Sequence, residues 1–507
     1  MFSIHDTGPA TPCPDPFNMA AHVLAAGLAN PSKVAVSIIG PGTASEDWTY
    51  DALIRAVRGT GAALLQAGCV PGDIILMRLG NTIDFPIAYL AAIGVGLVPV
   101  PTSAALTTPE VQRIVTELSP RLILRDGDVP SAPGAPEIGL ATLRAMRATP
   151  PADWHMGDAD RLGYIIYTSG TSGTQRAVAH GHRAIWGRQM MHDGWYGLTS
   201  QDRLLHAGAF NWTYTMGTGL MDPWTLGATA LIPTPGTDPS QLGALLQTHR
   251  ATIFAAAPGV YRQMLARSTL PPLPHLRHGL SAGEKLSRDT QTDWMAASDT
   301  PVFEAYGMSE CSTFISASPS APCDPNTLGR PQPGRKVAII GDDGPVPHDT
   351  PGVIAIDRAD PGLMRGYLHQ PDATAERFRG DWFMTGDIGA MDATGQITYL
   401  GRNDDMMNAG GYRVSPLEVE AALAGAPGIH QAGVTQIEVK PGTRIIAAFY
   451  TGPAPLDDAT LQAYVEPQLA RYKQPRAYVH IPQMPLGANG KLLRRRLPQF
   501  WPATRPH

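Results

Sequence analysis

Apolar residues return at helical spacing from Tyr50 to Ala67 (YDALIRAVRGTGAALLQA), and VPGDIILMRLG reads as a turn followed by a buried strand. A second apolar helix is predicted from Phe85 to Gly96, with LVPVPTSAAL as the strand after it. Arg121 to Leu124 (RLIL), Tyr164 to Tyr167 (YIIY) and Thr252 to Ala256 (TIFAA) are further short strands between helical stretches. Strands that alternate with helices point to largely parallel sheets covered by helices. After about Gly329 the texture changes. GRPQPGRKVAIIGDDG, GVIAID and GQITYLGR read as short strands joined by Gly, Pro and Asp turns. Beyond the charged stretch from Arg402 to Asp405, Ser415-Pro-Leu-Glu418 opens a helix, with Ser as cap, Pro at the first position and Glu three after the cap. Helices near 416–425 and 458–470 are enough for a separate small domain. The expected fold class is α/β. A large N-terminal domain of helix-covered sheets spans 1–402, with a β-rich subdomain at 329–402, and a small C-terminal α/β domain spans 403–507.

Composition agrees and removes several functions. A chain of 507 residues exceeds the ~250–300 at which one core stops growing. Lys+Arg 39 against Asp+Glu 44 leaves a net charge of −5, so no basic footprint for nucleic acid or an anionic membrane is present. Hydrophobic residues at 43% exclude a disordered chain. Gly 53 and Pro 48 follow no repeat and must sit in structured loops. The cysteines, Cys13, Cys69, Cys311 and Cys323, form no CxxC pair, so neither a zinc site nor a disulfide framework is expected. The N-terminal residues lack a basic start followed by an apolar core, and the run from Phe85 to Val100 contains two prolines and is too short to span a bilayer. A cytoplasmic protein without membrane insertion is expected.

The chemistry begins at YTSGTSGTQRA, residues 167–177, after a predicted strand. Glycines let backbone N–H groups approach an anion, hydroxyls add donors and Arg176 adds charge, as a polyphosphate cradle requires. By composition a flexible surface turn fits equally well. Neither GxxxxGK[ST] nor GxGxxG occurs. One GxSxG match, Gly279 to Gly283, raises a serine-hydrolase elbow, a pattern short enough to arise by chance.

AYGMSE (305–310), MTGDIG (384–389), GRNDDMMNAGGYRVSPLEVE (401–420) and NGKLLRRRL (489–497) follow the loop in that order. With these five motifs the chain resembles, over nearly its whole length, the adenylate-forming superfamily of acyl-CoA synthetases, adenylation domains and luciferases. The resemblance implies an acid–thiol ligase using ATP, Mg2+ and CoA, with a mobile C-terminal domain. Thr168, Ser169, Gly170, Thr171, Ser172, Gly173 and Thr174 would hold the ATP phosphates, beside Arg176 where the family has lysine. Tyr306 would stack on adenine, with Gly283, Glu284, Glu304, Ala305 and Gly307 around the nucleotide and Ser309 near the α-phosphate. Glu310 would coordinate Mg2+, a hard cation suited to carboxylate and phosphate oxygens. Asp387 would bind the ribose, supported by Arg402. Asp404 matches the hinge, Gly410, Gly411 and Tyr412 the pantetheine passage, and Lys491 the lysine that serves acyl-adenylate formation.

The acid pocket is expected between GAFNWTYTMGTG, SAGE and CSTFIS, with Phe210, Asn211, Trp212, Tyr214, Ala282 and Thr313 as its candidates. The similarity is greatest to benzoate-type aryl-CoA ligases, so a small aromatic acid is the expected substrate. FNWTYT holds no acidic residue to receive an α-ammonium group, which argues against an amino acid. A stand-alone aryl-acid adenylating enzyme loading a separate carrier protein, a short- or medium-chain acyl-CoA synthetase, and a non-enzymatic ATP-binding protein are the alternatives. Partners are otherwise small molecules, and a homodimer is compatible with the sequence.

Overall fold

A computed structural model describes residues 2–168, 176–402, 405–409, 412–440, 443–487 and 492–502. The chain forms two compact units, one of Met1–Ile4, Ala338–Ala355 and Met384–His507, the other of His5–Val337 and Ile356–Phe383.

The larger unit is built on a nine-stranded sheet. Its middle, in the order Val302–Met308, His278–Ala282, Ile253–Ala256, Arg203–His206, Thr229–Pro233 and Val34–Ile39, is parallel throughout. Antiparallel strands flank it, Ser312–Ser316 on one side and Glu46–Thr49 on the other. A second, parallel sheet joins Val98–Pro101, Ile74–Arg78, Leu122–Arg125 and Glu137–Gly139. The predicted helices and strands appear within a few residues. Tyr50–Gln66 is a helix, opened by Thr49, whose hydroxyl accepts from the Ala52 N–H at 3.2 Å. The apolar run near Phe85 becomes the helix Asp84–Gly94, buried at every position, because a helix apolar on all sides has no face for water.

Lys336–Ile340, Gly352–Asp357, Trp382–Met391 and Ile397–Arg402, most of whose residues belong to the smaller unit, neighbour one another in one sheet. Gln431–Lys440, Thr443–Thr451 and Ala477–His480 form another. The helices Pro416–Ala424 and Asp458–Val465 accompany the latter, and Val419, Leu423, Ile446 and Leu461 share its core. Ser415 caps the first helix as expected, its hydroxyl 3.4 Å from the Glu418 N–H. Glu418 bonds Lys473 at 2.5 Å. No helix among the described residues is long and apolar enough to cross a membrane.

Candidate active site

Leu162–Thr168 and Arg176–Gly181 pair antiparallel, with Thr168 opposite Arg176. The hairpin therefore clamps both ends of the hydroxyl-rich loop. Ser169, Gly170, Thr171, Ser172, Gly173 and Thr174 themselves lie outside the described residues. A third strand, Gly366–Tyr367, pairs with the Arg176 strand. Its Tyr367 ring lies under the Arg176 guanidinium, 4.8 Å from ring centroid to Cζ, a cation–π distance. The Tyr367 hydroxyl donates to Glu310 Oε1 at 2.8 Å. Burial, then the Glu310 charge, pushes that hydroxyl up to about 12, so at neutral pH it is a donor. One tyrosine thus links the loop arginine to the carboxylate predicted to hold a metal.

Glu310 stands in the turn between Val302–Met308 and Ser312–Ser316, and its carbonyl accepts from the Met364 N–H at 2.7 Å. Gly307 permits the close return of this chain: a Cβ there would lie 2.1 Å from the Ser312 carbonyl oxygen. Tyr306, half-buried, meets Phe314 edge-on at 5.3 Å. The Ser309 carbonyl bonds His180 Nε2 at 2.8 Å. Glu304 is buried, accepts from the Leu286 N–H at 3.1 Å, and is pushed up to about 7 by that burial. Ala305 pairs with Ala282 on the adjacent strand. Gly283 follows at φ +97°, where a Cβ would stand 2.7 Å from the Trp212 ring, and half-buried Glu284 comes next.

The acid-pocket candidates separate. Trp212 packs over Gly283 and edge-to-face against Tyr214 at 5.3 Å, while Ala282 is buried in the same apolar cluster. Tyr214 donates to the Leu280 carbonyl at 3.0 Å. Phe210 is fully buried against Phe85, ring centroids 5.5 Å apart. Thr313 turns its hydroxyl to Met191 Sδ at 3.1 Å, and Asn211 is half-buried. Ser281, the centre of the GxSxG match, sits inside the strand His278–Ala282, fully buried. A nucleophile elbow needs a turn with an exposed hydroxyl, so no elbow exists here.

In the smaller unit, Asp387 and Arg402 are opposite one another on paired strands. Arg402 Nε lies 3.2 Å from Asp387 Oδ1, and the Tyr399 hydroxyl is 3.5 Å from the same oxygen. Tyr412 begins the short strand Tyr412–Val414. Asp404, Gly410, Gly411 and Lys491 lie outside the described residues. Arg494, near Lys491 in sequence, ion-pairs with Glu420 and donates to the Val434 carbonyl at 2.9 Å.

Two groups escaped the sequence reading. Tyr367 carries no local signal, standing 57 positions from Glu310. The second is a buried network. Arg188 Nη2 bonds Asp222 Oδ2 at 2.6 Å and Nε bonds Oδ1 at 3.0 Å, the Tyr196 hydroxyl donates to Asp222 at 2.7 Å, and Arg188 also bonds the Ser312 hydroxyl. Burial opposes the guanidinium charge, but Asp222 outweighs it and holds Arg188 above its usual value. A lone Arg in AIWGRQMM and a lone Asp in GLMDPW were the available hints.

Comparison with known proteins adds an independent view. The family described as AMP-binding enzyme matches residues 25–368, and the AMP-binding enzyme C-terminal domain matches 418–491. A 3-hydroxybenzoate–CoA ligase of Aromatoleum sp. (strain CIB) is 28% identical over 96% of this chain and 98% of its own length. A benzoate–CoA ligase of Thauera aromatica is 29% identical over 97% and 98%. Among solved structures, a benzoate CoA ligase from Burkholderia xenovorans LB400 superposes with a TM-score of 0.85 at 26% identity, covering 95% of this chain and 99% of that one.

Proposed function

The chain belongs to the AMP-binding enzyme family, and on that premise we propose that it is an AMP-forming CoA ligase for a small aromatic carboxylic acid. The observation that carries this reading is the single tyrosine, Tyr367, joining Arg176 to Glu310. A cation and a metal-binding carboxylate beside a hydroxyl-rich loop are what ATP phosphates require. In the first step a carboxylate oxygen of the acid attacks the α-phosphorus of ATP. The bond to the bridging oxygen breaks, pyrophosphate leaves and an acyl adenylate forms. In the second step the CoA thiol loses its proton to solvent, its sulfur attacks the acyl carbon and AMP leaves. No protein nucleophile is needed, in keeping with a buried Ser281.

Arg176 attracts the phosphates, and Tyr367 holds the Glu310 carboxylate by one oxygen. No group of three or more ligating side chains occurs among the described residues, so a cation on Glu310 would draw its other oxygens from phosphates and water, the habit of Mg2+. Glu310 would hold a Mg2+ ion whose charge would offset that of the phosphates. Tyr306 takes the adenine, and Asp387, oriented by Arg402 and Tyr399, takes the ribose. Trp212 over Gly283 supplies a flat apolar surface for an aromatic ring, and the named activities of the aryl-CoA ligase relatives support that choice. We also read the domain boundary at Arg402–Asn403, Asp404 as the hinge, Gly410, Gly411 and Tyr412 as the CoA passage, and Lys491 as serving the first step. The enzyme is read as cytoplasmic.

Pyrophosphate release measured over benzoates, cinnamates and straight-chain acids tests the reading. Aryl acids are expected to exceed hexanoate by more than ~10-fold in kcat/KM, about 1.4 kcal/mol. A straight-chain preference of that size would remove the aromatic assignment. AMP release that needs CoA and no carrier protein tests the acceptor.

A further inference from the structure

Ser309 and Ser312, on either side of Glu310, line a small cavity of about 20 Å³ together with Thr213, Tyr164, His180 and Arg188. That volume holds one water-sized group. Thr213 lies between Trp212 and Tyr214 in sequence, so the cavity is shared by two of the three segments from which an acid pocket is expected.

Its chemistry follows from His180. The ring is buried and lies flat on Tyr164, centroids 4.8 Å apart and planes 13° from parallel. Burial pushes His180 down to about 4, so the imidazole is neutral at pH 7 and one nitrogen carries the proton. Nε2 is 2.8 Å from the Ser309 carbonyl oxygen, which can only accept, so the proton is on Nε2. Nδ1 is therefore an acceptor, and it is buried with no hydrogen-bond partner among the described residues. Buried acceptors are almost always satisfied, so this one calls for a donor. Arg188 is committed to Asp222, Tyr196 and Ser312. Asp222 also cancels its charge, so the lining residues offer no uncompensated cation for a second carboxylate. The missing group is a neutral donor of about the size of water.

We propose that this cavity is the end of the acid pocket and receives a hydroxyl or amino substituent of the aromatic ring, which donates to His180 Nδ1. The inference rests on the aryl-acid reading above and narrows it: the substrates are hydroxy- or aminobenzoates, with unsubstituted benzoate a poorer one.

The experiment measures kcat/KM for pyrophosphate release with benzoate, its ortho, meta and para hydroxy and amino derivatives, and hexanoate. At least one polar derivative is expected to exceed benzoate by ~10-fold or more, since a site built for a hydroxyl discriminates against its absence. His180→Gln keeps an amide donor for the Ser309 carbonyl and removes the ring acceptor, so it should bring that ratio to within about threefold. His180→Asn, whose carbonyl oxygen replaces Nδ1, should retain the preference. Benzoate turnover by each variant reports whether the fold survives. Equal kcat/KM for benzoate and all its derivatives, or a preference unchanged in His180→Gln, would mean that the cavity holds only a structural water. If hexanoate outranks every benzoate, the aryl-acid reading itself falls and this inference with it. If benzoates rank first with no polar preference, this inference alone is overturned.

Discussion

Asp222 and Glu310 are carboxylates in the same compact unit, 1% and 9% exposed, and they are bound in opposite ways. Asp222 receives two N–H groups, Nε and Nη2, from one edge of the Arg188 guanidinium, and the Tyr196 hydroxyl. Among the described residues Glu310 receives only the Tyr367 hydroxyl. A carboxylate has about four acceptor sites. The first is nearly saturated from within the protein and can do little beyond holding elements together. The second keeps capacity for something brought from outside. Counting how far each buried charge is satisfied thus separates scaffold from site where burial alone does not.

The largest effect should come from breaking the closed pair. Asp222→Ala leaves Arg188 charged, buried and without a counter-ion, which typically costs about 3–5 kcal/mol. Denaturant unfolding should show that loss. A change below ~1 kcal/mol would mean that water already reaches the pair.

The role proposed for Lys491 extends the comparison to a cation that would act only on the reaction. Lys491→Ala should leave stability unchanged but slow acyl-adenylate formation by roughly 10²–10³. Conversion of supplied acyl adenylate and CoA to thioester should stay near the wild-type rate. Equal loss in both half-reactions would contradict a role confined to the first.

Glu304 is a third kind of buried carboxylate, with one backbone donor and a value raised from 4.5 to about 7 by burial. Its neutral form is the one that suits the fold. The unfolded chain loses this proton near 4.5 and the native protein near 7, so the stabilising contribution is full below 4.5 and is lost as pH rises to 7. The total is on the order of 3 kcal/mol. Glu304→Gln, which keeps an acceptor for the Leu286 N–H, should raise Tm at pH 8 and change it little at pH 4. An equal shift at both pH values would assign the effect to packing rather than ionisation.

The smallest effect is expected at the open site's own support. Tyr367→Phe keeps the ring under Arg176 and deletes the hydroxyl on Glu310. Orienting partners of metal ligands typically matter by 10–100-fold, and the loss should appear as a higher Mg2+ requirement with Tm nearly unchanged. Loss of activity that no Mg2+ concentration moves would refute this positioning role.

Much of this protein was written locally. Helices and short strands were legible because the apolar spacing at Tyr50–Gln66, or the run at Ile253–Ala256, depends on near neighbours alone. The motifs around Thr168, Tyr306, Glu310 and Asp387 were legible for a similar reason, since each is a run of particular residues at short spacing. What each aromatic residue between Phe210 and Tyr214 touches was not. Phe210 went to the core against Phe85 and Trp212 to Gly283, although composition made them equivalent. The partners of the charges were equally hidden, with Tyr367 57 positions from Glu310 and Arg188 34 from Asp222. Sequence by itself determined the elements, the motif residues and the family, because local periodicity and spacing encode them. Only the tertiary structure decided which buried polar groups are satisfied and which, like His180 Nδ1, have no partner among the described residues. Satisfaction depends on strands and turns that meet from distant parts of the chain.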